Sequence, residues 1–282
     1  TKVTLGNGLT DIGAYSFYGC DALLDIVIPE SVKSIGEYAF YGCTGLKRIY
    51  IPSSVTLIEN MALTGCYSLT EIVISKDNPI YDSRNKCNAI IETSSNTLIF
   101  GSQNTIIPNN VTNIGSFAFY ECHGLRSIDI PNSVINIGES AFGGCPITSL
   151  DIPNSVTNIE DEAFSYCTQL ESVTIPNSII SIGSGTFSNC RVLKTMTIPN
   201  SITNIEDGTF SCCFELTLVT IPNSVKSIGD HAFSACHGLT SVTLPNSVTN
   251  IGHHIFSGCK SLTSVAIPNN ITSIKEGSFY GC

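Results

Sequence analysis

Apolar and polar residues alternate along this chain in short bursts that recur at a fixed interval. The stretch Leu239-Thr240-Ser241-Val242-Thr243-Leu244-Pro245-Asn246-Ser247-Val248-Thr249-Asn250-Ile251-Gly252, running on to Phe256 and Cys259, returns when the sequence is shifted by 23 residues. Prolines mark the interval at Pro29, Pro52, Pro108, Pro131, Pro153, Pro176, Pro199, Pro222, Pro245 and Pro268. The gap is 22 between Pro131 and Pro153, 56 between Pro52 and Pro108, and 23 elsewhere. A period in this range is the mark of a solenoid or propeller.

Within each unit, C-x-x-L-x-x-[IV]-x-[IL]-P-x-[SN]-[VI]-x-x-I-G-x-x-A-F-x-x-C, the segment before proline has the two-residue period of a strand. In Leu239 to Leu244, Val242 and Leu244 face one way and Thr243 the other. Proline ends the strand because it has no N–H for a ladder, and Asn-Ser turns the chain. A second apolar pair such as Val248 and Ile251 fits the convex return leg, and the Ala-Phe pair is expected on one short helical turn.

One unit cannot bury its own apolar face, so the units stack and their isoleucines, leucines and phenylalanines become internal columns. Ten of the thirteen phenylalanines fall in one column, from Phe17 and Phe40 through Phe119 to Phe279, with Leu63 in one slot. Such columns are core rather than a cofactor site. The slot after isoleucine is glycine at Gly13, Gly36, Gly115, Gly138, Gly183, Gly229 and Gly252, but Glu59, Glu160, Glu206 and Lys275 also fill it. Glycine is preferred there without a positive φ being obligatory.

The long proline gap holds an irregular unit at about 75–107. Lys76 to Ser83 reads as a turn-rich loop. Ala89-Ile90-Ile91 and Thr97-Leu98-Ile99-Phe100 flank Ser94-Ser95-Asn96, which is a hairpin signal. One reading is an enlarged repeat that continues the coil; the other is a functional insertion on one face.

Composition narrows the partners. The net charge is −10 and no basic run occurs, so nucleic acid and anionic lipid lose their electrostatic attraction. No apolar run reaches the length of about 18 residues that a spanning helix needs. Of thirteen cysteines, eleven sit at one repeat position; an inward ladder of small thiols favours reduced, buried cysteines. Cys87 and Cys212 lie off that ladder. No C-x-x-C pair suggests zinc, and neither metal nor cofactor is expected. The chain begins inside a partial unit and ends on a repeat cysteine, which reads as a piece of a longer protein.

The wording I-P-N-S-V-T-x-I-G-x-x-A-F-x-x-C, together with the segment Asp77 to Ser83, Asn88 to Ile91 and Thr97 to Ile99, resembles the BspA-like leucine-rich-repeat family over essentially the whole chain. The resemblance implies an α/β repeat: a right-handed leucine-rich-repeat solenoid with 23-residue units, a parallel concave sheet and short helical or 3-10 turns on the convex side. We expect one domain over residues 1–282, in twelve coils counting the irregular one. The resemblance also implies a surface or secreted protein of a bacterium or protozoan. Several members are adhesins that bind host matrix proteins or other cells, and none of the family motifs is catalytic.

Enzyme signatures are missing: there is no G-x-S-x-G, Walker loop, H-E-x-x-H or G-x-G-x-x-G, so an enzyme is not expected. His253-His254 reads as two surface histidines with no second pair in their column. Binding through the concave face is the leading expectation. Its outward residues are Ser and Thr in the C-terminal half, whereas the N-terminal half shows Val27, Tyr50, Val73 and Ile106 beside Asp25, Arg48 and Glu71. Aromatic and arginine side chains are typical interface anchors. The candidate partner-binding residues are Val27, Arg48, Tyr50, Glu71, Val73, Ile106, Asp129 and Asp151; the two aspartates are expected to face each other on neighbouring strands. The partner is a protein or a glycan, and the chain is expected to be monomeric. A structural spacer that displays another domain, and an intracellular interaction scaffold, are the alternatives.

Overall fold

The computed structural model of the chain describes residues 2–282. Most coils begin with a strand of three or four residues, among them Asp25–Val27, Arg48–Ile51, Glu71–Ile74, Ser149–Asp151, Ser172–Thr174, Thr195–Thr197, Leu218–Thr220, Ser241–Thr243 and Ser264–Ala266. Neighbours pair parallel and in register, as in Arg48 with Glu71 and Tyr50 with Val73. Alternation decides which way each side chain points. In the strand Asp25–Val27, Ile26 is buried while Asp25 and Val27 are exposed. Residues 104–107 and 127–130 keep a similar alternation without a strand ladder.

Proline ends this strand and a turn carries the chain to a second, two-residue strand, such as Ser34–Ile35, Asn136–Ile137 or Asn250–Ile251. These also pair parallel, one coil on the next. The return leg is not a helix. The i+3→i bonds of 3-10 type do form, as from the Ser16, Tyr18 and Cys20 amides to the Gly13, Tyr15 and Phe17 carbonyls. Residues at positive φ, here Tyr15 at 59° and Gly19 at 66°, interrupt each turn before it can propagate. The interruption frees alternate amides to reach the next coil: Tyr15, Phe17 and Gly19 donate to Glu37, Ala39 and Tyr41 at 2.7–3.1 Å. This third ladder runs through the turns.

The repeat glycines have a cause the sequence hides. A Cβ on Gly36 would lie 2.6 Å from the Ala14 nitrogen, and one on Gly138 2.7 Å from the Ser116 nitrogen. The slot is narrow because the backbone of the preceding coil passes through it; φ there is ordinary. Two of the glutamates in the slot accept a backbone amide through their carboxylates, Glu59 from Glu37 at 2.8 Å and Glu160 from Glu139 at 3.1 Å.

Inside, the phenylalanine rings stack nearly parallel at 5.0–5.8 Å. The cysteines form a parallel column and donate as well as pack. The Sγ of Cys43, Cys145, Cys190 and Cys236, for example, lies 3.0–3.3 Å from the carbonyl of the phenylalanine 26 residues earlier. All thirteen cysteines are free thiols. Burial pushes the Cys122 thiol up to about 11 and that of Cys167 to about 12, and holds Cys145, Cys190, Cys213 and Cys236 well above their ordinary value.

The irregular unit contains the expected hairpin: Ala89–Glu92 pairs antiparallel with Thr97–Gly101, and Tyr81–Asp82 adds a third strand. Gly101 fills the phenylalanine slot of this coil, and a side chain there would collide with the Phe119 ring. The apolar core divides at this point. Tyr81 and Ile90 pack with the N-terminal coils; Cys87, Ala89, Ile91 and Leu98 pack with the C-terminal ones.

Candidate binding face

Strand register brings four of the sequence-predicted residues together. Arg48 lies directly across from Glu71, and Tyr50 across from Val73. Val27 is on the strand that packs beside them and is 62% exposed; Tyr50 is 36% exposed. The Arg48 Nε is 3.9 Å from the Glu71 Oε2, with both side chains more than half exposed. Such a pair contributes about 0–1 kcal/mol, so Arg48 is easily re-paired by a ligand.

Ile106, Asp129 and Asp151 do not continue the column directly. The irregular unit stands between Val73 and Ile106, and the Ile106 amide bonds to the Cys87 carbonyl at 3.0 Å. Ile106, 76% exposed, lines a separate depression of about 350 Å³ with Asp129, Ser127 and Asn109. Asp151 pairs with Thr174 on its C-terminal side, while Asp129 belongs to a coil without a strand there.

What sequence reasoning missed is the depression of about 510 Å³ between Glu71–Ile74 and the irregular unit. Its floor is apolar, with Val73 and Ile74, and its walls are Thr70, Glu71, Ser83, Lys86, Asn88 and Asn104. The tight bend at Asn85, Lys86 and Asn88, all at φ of 53–57°, forms one of these walls. Asn88 locks it to the strand: its Oδ1 accepts the Ile72 amide at 2.7 Å and its Nδ2 donates to the Ser102 hydroxyl at 2.6 Å. Arg84 is used internally, 2.7 Å from Asp82 and bonded to Asn96. An apolar floor ringed by amides, a hydroxyl, one ammonium and one carboxylate is the usual chemistry of a recognition pocket. The only sequence signal was irregularity itself.

On the turn side, His254 does have a column partner, because its ring stacks on His231 at 4.9 Å. The neighbouring His253 amide instead donates to Asp230. Among the described residues, no three His, Cys, Asp or Glu side chains are grouped to hold a metal ion. No helix among them is long and apolar enough to cross a membrane.

A family model described as BspA type leucine rich repeat region matches residues 1–95, 90–217 and 203–282, with six copies. No curated protein sequence matches. Among solved structures, a leucine-rich repeat protein from Bacteroides ovatus is 33% identical with a TM-score of 0.70; the alignment covers 99% of this chain and 70% of that one. One from Eubacterium ventriosum is 25% identical with a TM-score of 0.68, covering 100% and 76%. A leucine rich cell surface protein from Faecalibacterium prausnitzii is 29% identical with a TM-score of 0.50, covering 94% of this chain and 59% of its own.

Proposed function

The chain belongs to the BspA-type leucine-rich-repeat family, and from that premise we propose that it is a non-catalytic recognition module that works at a cell surface or outside the cell. It binds a protein or glycan ligand through the strand face of its N-terminal half. One observation carries the reading: strand register sets Arg48, Tyr50, Glu71 and Val73 side by side, next to the polar-walled depression with Lys86 and Asn104 on its rim. Tyr50 supplies a rigid, half-exposed ring and Arg48 a weakly paired cation, the residue types that dominate binding energy at interfaces. The description of the Faecalibacterium relative as a cell surface protein supports the location.

The C-terminal strands, with exposed Thr174, Thr197, Thr220 and Thr243, offer no comparable anchors and serve as a spacer for this patch. The test is binding of the purified chain to immobilised matrix proteins, to glycan arrays and to cells. Saturable binding that falls by about 30-fold in Arg48→Ala/Tyr50→Ala, the loss of one strong anchor, supports the patch. Binding untouched by the double substitution would move the site elsewhere. No binding to any of the three would leave the spacer as the function.

A further inference from the structure

Among the described residues, the ladder that runs through the turns loses all the donors of one coil at the irregular unit. On one side of the gap, Phe40 and Gly42 donate to Ala62 and Thr64 at 2.7 and 2.8 Å; beyond it, Phe117, Phe119 and Glu121 donate to Glu139, Ala141 and Gly143 at 2.7–2.8 Å. The equivalent amides of the coil between, those of Met61, Leu63 and Gly65, make no hydrogen bond among the described residues. The irregular unit causes this, because its hairpin replaces the turn that would have accepted them. Only the end of the hairpin fills the space, where the Gly101 amide takes the Ala118 carbonyl at 2.8 Å. The carbonyls of Ser116 and Tyr120 on the far wall accept nothing. The Phe100-Gly101 segment divides the gap: the open Met61 and Leu63 amides share one cleft with the open Ser116 carbonyl, as at two unpaired strand edges, while Gly65 and Tyr120 lie on its other side.

The gap is a cleft of about 330 Å³ bordered by Asn60, Met61, Leu63, Thr97, Ser116 and Phe117. On the other side of Gly101, two contacts span the gap: the Tyr41 hydroxyl donates to the Glu121 carboxylate at 2.8 Å, and the Tyr67 ring stacks on His123 at 4.7 Å. The charged residues that line the cleft are Glu59 and Glu92, without a cation. The aromatic side chains of Tyr81, Phe100 and Phe117 line it as well.

We infer that this cleft is a second docking site, on the turn side of the solenoid, for an extended segment of a partner protein rich in lysine and arginine. The segment enters as an added strand. Its carbonyls accept from the Met61 and Leu63 amides, and one of its amides donates to the Ser116 carbonyl, the main-chain mode by which peptides join exposed edges. Its cations pair with Glu59 and Glu92 and lie against the Phe117 ring. The acidic lining selects a basic segment over an acidic one.

The test uses the whole chain and two labelled peptides of about six residues, an ordinary strand length, one alternating arginine with threonine and one alternating glutamate with threonine. Fluorescence anisotropy reads binding, and amide hydrogen exchange reads the site. The arginine peptide is expected to bind and to slow exchange at Met61 and Leu63. Glu59→Gln/Glu92→Gln weakens it by about tenfold, and Ser116→Trp, which fills the cleft, abolishes it. Arg48→Ala/Tyr50→Ala leaves it unchanged, which separates this site from the strand-face patch. Absence of binding, equal binding of the glutamate peptide, unaltered exchange at the two amides, or binding that survives Ser116→Trp would each overturn the inference.

Discussion

At the residue scale, two kinds of position look alike in sequence and behave oppositely. Gly138 is glycine because a neighbouring backbone occupies the place of its Cβ, with the Ser116 nitrogen 2.7 Å away. Tyr166 carries a side chain although its φ is 56° and more than half of its surface is exposed. The left-handed conformation costs a non-glycine residue about 1–2 kcal/mol; Tyr166 tolerates it because its amide must reach Ser188 in the next coil at 2.8 Å. Gly138→Ala is therefore expected to destabilise the fold by about 1–3 kcal/mol through overpacking. Tyr166→Gly is expected to stabilise it by about 0.5–1 kcal/mol. Chemical denaturation of the two variants checks the signs, and a stabilising Gly138→Ala would refute the close-approach account. Neither role was legible in the chain. The glycine column is visible in sequence, but its reason lies in a strand passing 22 or 23 residues away, and the tyrosine has no turn chemistry to betray it.

At the scale of elements, most of the architecture follows from alternation and period: the strand before every repeat proline except Pro108 and Pro131, the phenylalanine and cysteine columns, and the hairpin between Ala89 and Phe100. The exceptions are the return leg and the attachment of the irregular unit. The return leg stays non-helical because alternate amides bond to the next coil, a tertiary demand that local propensity cannot reveal. The irregular unit is held by Asn88 and by Asn78, the latter within the stretch Lys76 to Ser83 that reads as a turn-rich loop. The Asn78 side-chain amide donates to the Pro52 and Val55 carbonyls at 2.8 and 2.9 Å, and its oxygen accepts the Ile80 and Tyr81 amides at 2.9 and 2.8 Å. One side chain thus closes the preceding coil and starts the hairpin. Asn78→Ala removes all four bonds and leaves partly buried backbone groups unpaired, at about 1–3 kcal/mol per stranded group. A loss of about 2–4 kcal/mol in denaturant unfolding is expected, with a smaller one for Asn78→Asp, which keeps the acceptor. Equal stability of wild type and Asn78→Ala would show that the hairpin anchors itself.

For the whole molecule, the sulfur column sets a pH limit. A thiol is neutral when protonated, and burial raises its pKa, so the folded chain keeps protons that the unfolded chain has released. The stability this represents is complete below the ordinary thiol value of 9.0 and drains away as pH rises from there toward about 12, the folded value for Cys167. Each such thiol contributes a slope of about 1.4 kcal/mol per pH unit. Several act together, so the chain is expected to lose stability steeply above about pH 9. Cys190→Ala/Cys213→Ala makes the decline shallower, after a constant loss from the two cavities. Urea unfolding between about pH 7 and pH 10.5 measures the slope. A flat profile would mean that the column opens before it titrates.

The nearest-neighbour character of the coils also shapes how such a chain changes over generations. In the C-terminal half each coil meets only the one before and the one after, through repeated letters in repeated places. Duplication or deletion of one 23-residue unit there preserves every kind of contact and alters only length. The irregular unit has no such freedom. Asn78 reaches back to Pro52 and Val55, the Thr112 amide reaches the Asn96 carbonyl at 3.0 Å, and Tyr41 reaches over it to Glu121. An unequal crossover inside it breaks contacts that no other coil can supply. The regular coils are thus the part that lengthens and shortens by recombination, while the irregular unit, with the cleft and the polar depression it creates, passes on intact or is lost as a block.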